Sequence, residues 1–253
     1  MKEKLYMIPL NDAVNADDEC PFCLVERDVE QDLLDFVLGS GSSYMESDVR
    51  SITDKTGFCR NHFKKMFDYG NTLGNGWILK THYILINREM QEQFKSFVPQ
   101  KSSFINKLKK NEERRNPIGI WTKEKENSCY ICTHLCEAYD RYMDTFFVMY
   151  QKDDSFREKI ENSKGFCLHH FGDLCEAAES KLSDKEKMSF YPAMFSLMEK
   201  NMKRMVDDVS WLVEKFDYQN KDADWKNSKD AIQRGMQKLK GGYPADPPYK
   251  ASK

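Results

Sequence analysis

Glycine and proline are scarce in this chain, twelve and eight residues among 253. No Asn-Gly or Asp-Gly pair stands between alternating apolar flanks, and the one Asn-Gly, Asn75-Gly76, opens a helical pattern. That excludes a hairpin-rich β fold and favours helices. No apolar run approaches the ~18 residues of a membrane span, so no membrane is expected. Residues 1–14 carry scattered charges and lack the apolar core of a secretory signal, so the expected location is the cytoplasm. The net charge is only −2, which gives no general attraction to nucleic acid. No Gly-rich phosphate loop, acidic pair or Ser-His-Asp arrangement is visible, so nothing here argues for an enzyme.

What the chain does have is eight cysteines. In a reducing compartment these point to metal ligands or buried apolar residues rather than disulfides. Six of them fall into two sets with a histidine each: Cys20, Cys23, Cys59 and His62, then Cys129, Cys132, Cys167 and His170. The spacings are C-x2-C-x35-C-x2-H and C-x2-C-x34-C-x2-H. Three cysteines with one histidine form a common structural zinc set, and the sequence predicts one zinc ion per set. Each pair should lie at a helix start, where the dipole favours thiolate. Gly57-Phe58 and Gly165-Phe166 precede the second pair of each set; the glycine turns the chain and the phenylalanine packs beneath the site.

An iron–sulfur cluster is the second reading, although all-cysteine ligation is its norm. A thiol-redox motif is the third. Cys20-Pro21-Phe22-Cys23 suits it, but no preceding strand is visible and Cys129-Tyr130-Ile131-Cys132 lacks the proline. Cys136 and Cys175 read as buried apolar cysteines. His169, beside His170, is an alternative ligand, while His82 and His134 read as core or surface residues.

The expected fold is all-α, a duplicated unit of about four helices each, held by its own Cys3His site. Residues 1–98 form the first unit, 99–127 a connector, 128–218 the second unit, and 219–253 a C-terminal helix with a flexible tail. Residues 1–19 read as an irregular lead-in. Helices follow near 20–38, 46–53, 59–68 and 77–97, then 129–150, 155–161, from 167, and from 191 to 216. Residues 104–114 read as a basic, solvated helix containing Lys107, Lys109, Lys110 and Arg114. Apolar residues recur in steps of three and four along Cys132, Cys136, Tyr139, Met143, Phe146 and Tyr150. A second such run is Tyr191, Phe195, Met198, Met202, Met205, Val209, Leu212 and Phe216. These are bundle seams.

Several motifs together carry a resemblance. They are Cys20-Pro21-x-Cys23, Gly57-Phe58-Cys59-x-x-His62, Asn71-x-Leu73-Gly74, Thr81-His82, Cys129-x-x-Cys132, Gly165-Phe166-Cys167-x-x-His170-Phe171, Lys215-Phe216-Asp217-Tyr218 and the stretch 225–231. The chain resembles a family of cytosolic proteins of anaerobic, clostridial-type bacteria. The resemblance implies the paired metal sites and supplies no activity. The expected role is a zinc-binding helical scaffold or interaction module. A protein partner fits that role; nucleic acid does not.

Overall fold

The computed structural model describes residues 2–41, 43–99 and 116–251, with side chains from residue 5 onward. The basic stretch within 104–114 lies outside the described residues. Eleven α-helices and no strand are found among them: α1 Lys2–Asn15, α2 Pro21–Leu38, α3 Ser47–Thr56, α4 Arg60–Tyr69, α5 Thr72–Ser96, α6 Pro117–Asn127, α7 Tyr130–Lys152, α8 Asp154–Glu161, α9 Leu168–Lys181, α10 Asp184–Glu214 and α11 Ala231–Lys240. No helix among the described residues is long and apolar enough to cross a membrane.

Local chemistry sets the helix ends. Pro21 opens α2, where its missing N–H is no loss. Asn71 caps α5 by accepting from the Gly74 amide, and its own amide donates to the Leu38 carbonyl at 2.7 Å. Ser183 and Glu186 form a reciprocal capping box on α10. Gly70 closes α4 at φ 88°, a left-handed conformation that suits glycine.

The chain separates into two compact units that are not consecutive in sequence. Unit 1 comprises Met1–Glu30 and Leu135–Pro247; unit 2 comprises Gln31–His134 and Pro248–Lys253. Unit 1 is built on an aromatic core of Phe22, Phe146, Phe147, Phe156, Phe166 and Phe190, all fully buried. Their rings meet edge-on or tilted at 5.4–5.9 Å, as in Phe146–Phe147 and Phe146–Phe166. Unit 2 centres on Leu34, Val37, Leu38, Phe58, Met66, Ile78 and Ile131.

Four expectations are corrected. The lead-in is a helix: α1 places Leu10, Ala13 and Val14 in the core of unit 1. The apolar face of α10 is rotated from the expected seam, because it buries Phe190, Met194, Leu197, Met198, Asn201 and Met205 while Phe195 and Phe216 are exposed. Cys136 is exposed and Cys175 half-buried, so neither is a buried core cysteine. In the tail, Tyr249 is buried within unit 2.

Candidate metal centres

All eight sequence-predicted donors are gathered into two sets of four, but the sets are exchanged. Cys20 and Cys23 meet Cys167 and His170, while Cys59 and His62 meet Cys129 and Cys132. Each CxxC thus joins the CxxH from the other half of the sequence. Near-equal spacing within the two sets leaves both pairings open, and a backbone bond from Tyr130 N to the Gly57 carbonyl joins two of the segments that the exchange brings together.

The four donor pairs have one local geometry. Cys59 and Cys167 are the N-cap residues of α4 and α9, with extended ψ of 166° and 161°. Cys20 and Cys129 immediately precede α2 and α7. The second donor of each pair is then the third helical residue, the two positions whose side chains meet in a capping box. Amides assist: His170 N donates to Cys167 Sγ at 3.4 Å and Cys132 N to Cys129 Sγ at 3.5 Å.

In site 1, His170 Nδ1 lies 3.2 Å from Cys20 Sγ, 3.5 Å from Cys23 Sγ and 3.3 Å from Cys167 Sγ. The Cys23 and Cys167 sulfurs are 3.8 Å apart. All four residues are buried. The other ring nitrogen, Nε2, is 3.1 Å from Glu26 Oε2, close enough for an ion pair although outside hydrogen-bond geometry. Phe22 and Tyr139 flank the imidazole at 5.7 and 5.3 Å.

Helix α11 clamps this site. Lys238, 1% exposed, donates to the carbonyls of Glu19 at 2.7 Å and Lys164 at 2.6 Å, the segments that lead into Cys20 and Cys167. Glu19, equally buried, holds Arg204 at 2.5 Å, Lys238 at 3.1 Å and Arg234 at 3.2 Å. Burial would raise the Glu19 carboxyl, but Arg204 and Lys238 outweigh it and hold it below the usual range. Past α11, Gly242 N donates to Cys23 Sγ at 3.4 Å. A Cβ on Gly241 would stand 3.5 Å from Cys167 Sγ and 3.6 Å from Cys23 Sγ. Nothing in the spacing of the cysteines signals Glu26, Lys238 or this Gly-Gly cover.

In site 2, His62 Nδ1 lies 3.2 Å from Cys59 Sγ, 3.2 Å from Cys129 Sγ and 3.3 Å from Cys132 Sγ. The Cys59 and Cys132 sulfurs are 3.8 Å apart. The Gly57 carbonyl accepts from Tyr130 N at 2.9 Å, joining the two ligand-bearing segments. Gly57 has φ 61°, and a Cβ there would lie 2.9 Å from the His82 ring. His82 itself is held by the Asp54 carbonyl at 2.8 Å. Here His62 and Cys129 are buried, Cys59 is half-buried and Cys132 is exposed.

Within each set the donors are tightly coupled electrostatically. Burial disfavours charge on His170, yet Cys167, Cys23 and Glu26 push its pKa up to about 12. Hydrogen bonds from Cys20 and Cys23 pull the Cys167 thiol far down, while burial pushes Cys20 up. In site 2 burial is outweighed at Cys129 by His62 and by backbone amides, which bring it down to about 6. Cys132 is pushed up to about 12 by burial and by Cys129. The sulfurs compete for scarce positive charge, which a metal cation supplies to all of them at once. His169 takes no part; it is exposed, with Nε2 3.6 Å from Asp173.

No curated protein and no solved structure matches the chain. Residues 1–246 match the model described as "Family of unknown function (DUF6062)", and the chain belongs to that family.

Proposed function

We propose that this member of the DUF6062 family is a helical scaffold stapled by two structural zinc ions, one in each Cys3His set. One observation carries the reading. Metal–sulfur bonds of about 2.3 Å and metal–nitrogen bonds of about 2.0 Å give a tetrahedron with edges of ~3.8 Å between sulfurs and ~3.5 Å from nitrogen to sulfur. The Sγ–Sγ separations of 3.8 Å in both sites, with Nδ1–Sγ of 3.2–3.5 Å, fit a single ion. All donors of a set lie within 4.8 Å of one another, which favours one ion over a cluster that spreads its ligands across several irons.

Four protein donors close the coordination of zinc, leaving no place for a substrate or an activated water, so the role is structural. Glu26, whose Oε2 lies 3.1 Å from His170 Nε2, stands where a carboxylate commonly supports a metal-bound histidine. A reducing cytoplasm suits such a thiolate-rich protein. The test is elemental analysis of anaerobically purified protein with its absorption spectrum. Two zinc equivalents and no visible absorption are expected. Iron with charge-transfer bands would replace zinc by iron, and absence of both metals would end the reading.

A further inference from the structure

The two sites have one donor set and opposite access to solvent. Site 1 is buried at all four residues and covered by Gly241-Gly242. Site 2 presents an exposed Cys132 and a half-buried Cys59, with their sulfurs 3.8 Å apart, while Cys129 and His62 stay buried behind them. The two sulfurs that solvent reaches are therefore neighbours, and each comes from a different helix start.

We propose that Cys59 and Cys132 are a site of thiol oxidation, at which hydrogen peroxide converts the pair to a disulfide and releases the site 2 metal. The proposal rests on the metal reading above. The Cys132 thiolate attacks the peroxide; the O–O bond breaks, and with one proton taken up the products are a sulfenic acid and water. The Cys59 thiolate then attacks the sulfenic sulfur, the S–O bond breaks, and a second proton leaves with the oxygen as water. Two electrons pass from the sulfurs to the peroxide. The sulfurs must close by about 1.8 Å to reach bonding distance. Only Cys129 and His62 remain as donors, too few to hold the ion. Metal coordination holds both sulfurs as thiolates, the form that reacts with peroxide, and exposure decides which thiolates are attacked.

The test uses the full-length, metal-loaded chain in the Cys136→Ser background, which removes the exposed thiol outside the two sets. Hydrogen peroxide is added, metal release is followed with a chromogenic chelator, and disulfides are mapped by mass spectrometry without reduction. One of the two metal equivalents should leave at least about tenfold faster than the other. It should leave together with a Cys59–Cys132 peptide lighter by two hydrogen atoms. Equal release from both sites, no release, first oxidation at Cys20 or Cys23, or a Cys129–Cys132 disulfide would overturn the proposal. Fewer than two equivalents before any peroxide is added is a different failure, that of the metal reading itself.

Discussion

Severing the chain between residues 100 and 115 separates the donors in a way that tests the exchanged pairing directly. Fragment 1–99 keeps Cys20, Cys23, Cys59 and His62, and fragment 116–253 keeps Cys129, Cys132, Cys167 and His170. If each site takes two donors from each fragment, neither fragment alone can complete either site. Structural zinc contributes roughly 10–16 kcal/mol in small metal-folded peptides. A fragment offering two donors of four should forfeit about half of that, some 5–8 kcal/mol, or roughly 10⁴- to 10⁶-fold in metal affinity. The fragments should bind metal weakly apart and take up two equivalents when mixed, forming a one-to-one complex that a chelator dissolves. Size-exclusion chromatography with metal analysis reads both. The d–d spectrum of cobalt-loaded samples separates two-donor from four-donor coordination. If fragment 1–99 alone holds one tightly bound cobalt with a tetrahedral three-sulfur, one-nitrogen spectrum, local pairing is right and the exchanged geometry is refuted.

Four further outcomes follow from the same structure. Glu26→Gln should weaken metal binding at site 1 by about 10- to 100-fold and leave site 2 unchanged, read by competition with a chelator of known affinity. Lys238→Met should destabilise unit 1 by about 3 kcal/mol in denaturant titration, because it strands buried carbonyls and part of the Glu19 charge. Gly57→Ala should cost about 1–3 kcal/mol, given φ of 61° and the His82 ring at 2.9 Å. Gly76→Ala, with open space in α5, should instead stabilise by about 0.5–1 kcal/mol, so equal effects at the two glycines would discredit the argument. Burial opposes charge on Glu89, but Lys125 and Trp121 outweigh it and hold the carboxyl below its ordinary value. The stabilisation of α5 against α6 is therefore complete above the ordinary carboxylate range and is lost as pH falls through the lowered value. On a partly exposed pair it amounts to less than about 1 kcal/mol. Acid titration of wild type against Glu89→Gln should show the wild type ahead at neutral pH and the difference disappearing at the acid end.

Much of the fold is legible in the sequence, because helix periodicity and punctuation are local. The start at Cys20-Pro21 and the break at Gly70-Asn71 fall where side-chain chemistry puts them, whereas the Ser183 cap opens α10 about two turns before the expected start at residue 191. The eight donors are legible too, since spacing alone singles them out. Their partners are not, because two CxxC and two CxxH pairs can be matched in two ways. Helix α1 is hard to read because, although Leu10, Ala13 and Val14 stand at helical spacing, Pro9 lies inside it and the apolar Leu5 and Ile8 face solvent. The seam of α10 was misplaced because Asn201 occupies a core position; its amide bonds the Ser163 and Leu197 carbonyls, which no hydrophobic pattern announces. Glu26 and Lys238 look like ordinary surface charges until distant segments fold onto them.

The exchanged pairing also sets a schedule for synthesis. Site 2 receives its last donor with Cys132 and site 1 only with His170, so the site whose first cysteines emerge earliest is the later to close. Cys23 waits for a partner 147 residues downstream. At about 5–20 residues per second, that is roughly 7–30 seconds during which a CxxC pair stands open on the ribosome. A newborn chain therefore meets the cell's oxidants and competing metal ions before it has all four donors for any site.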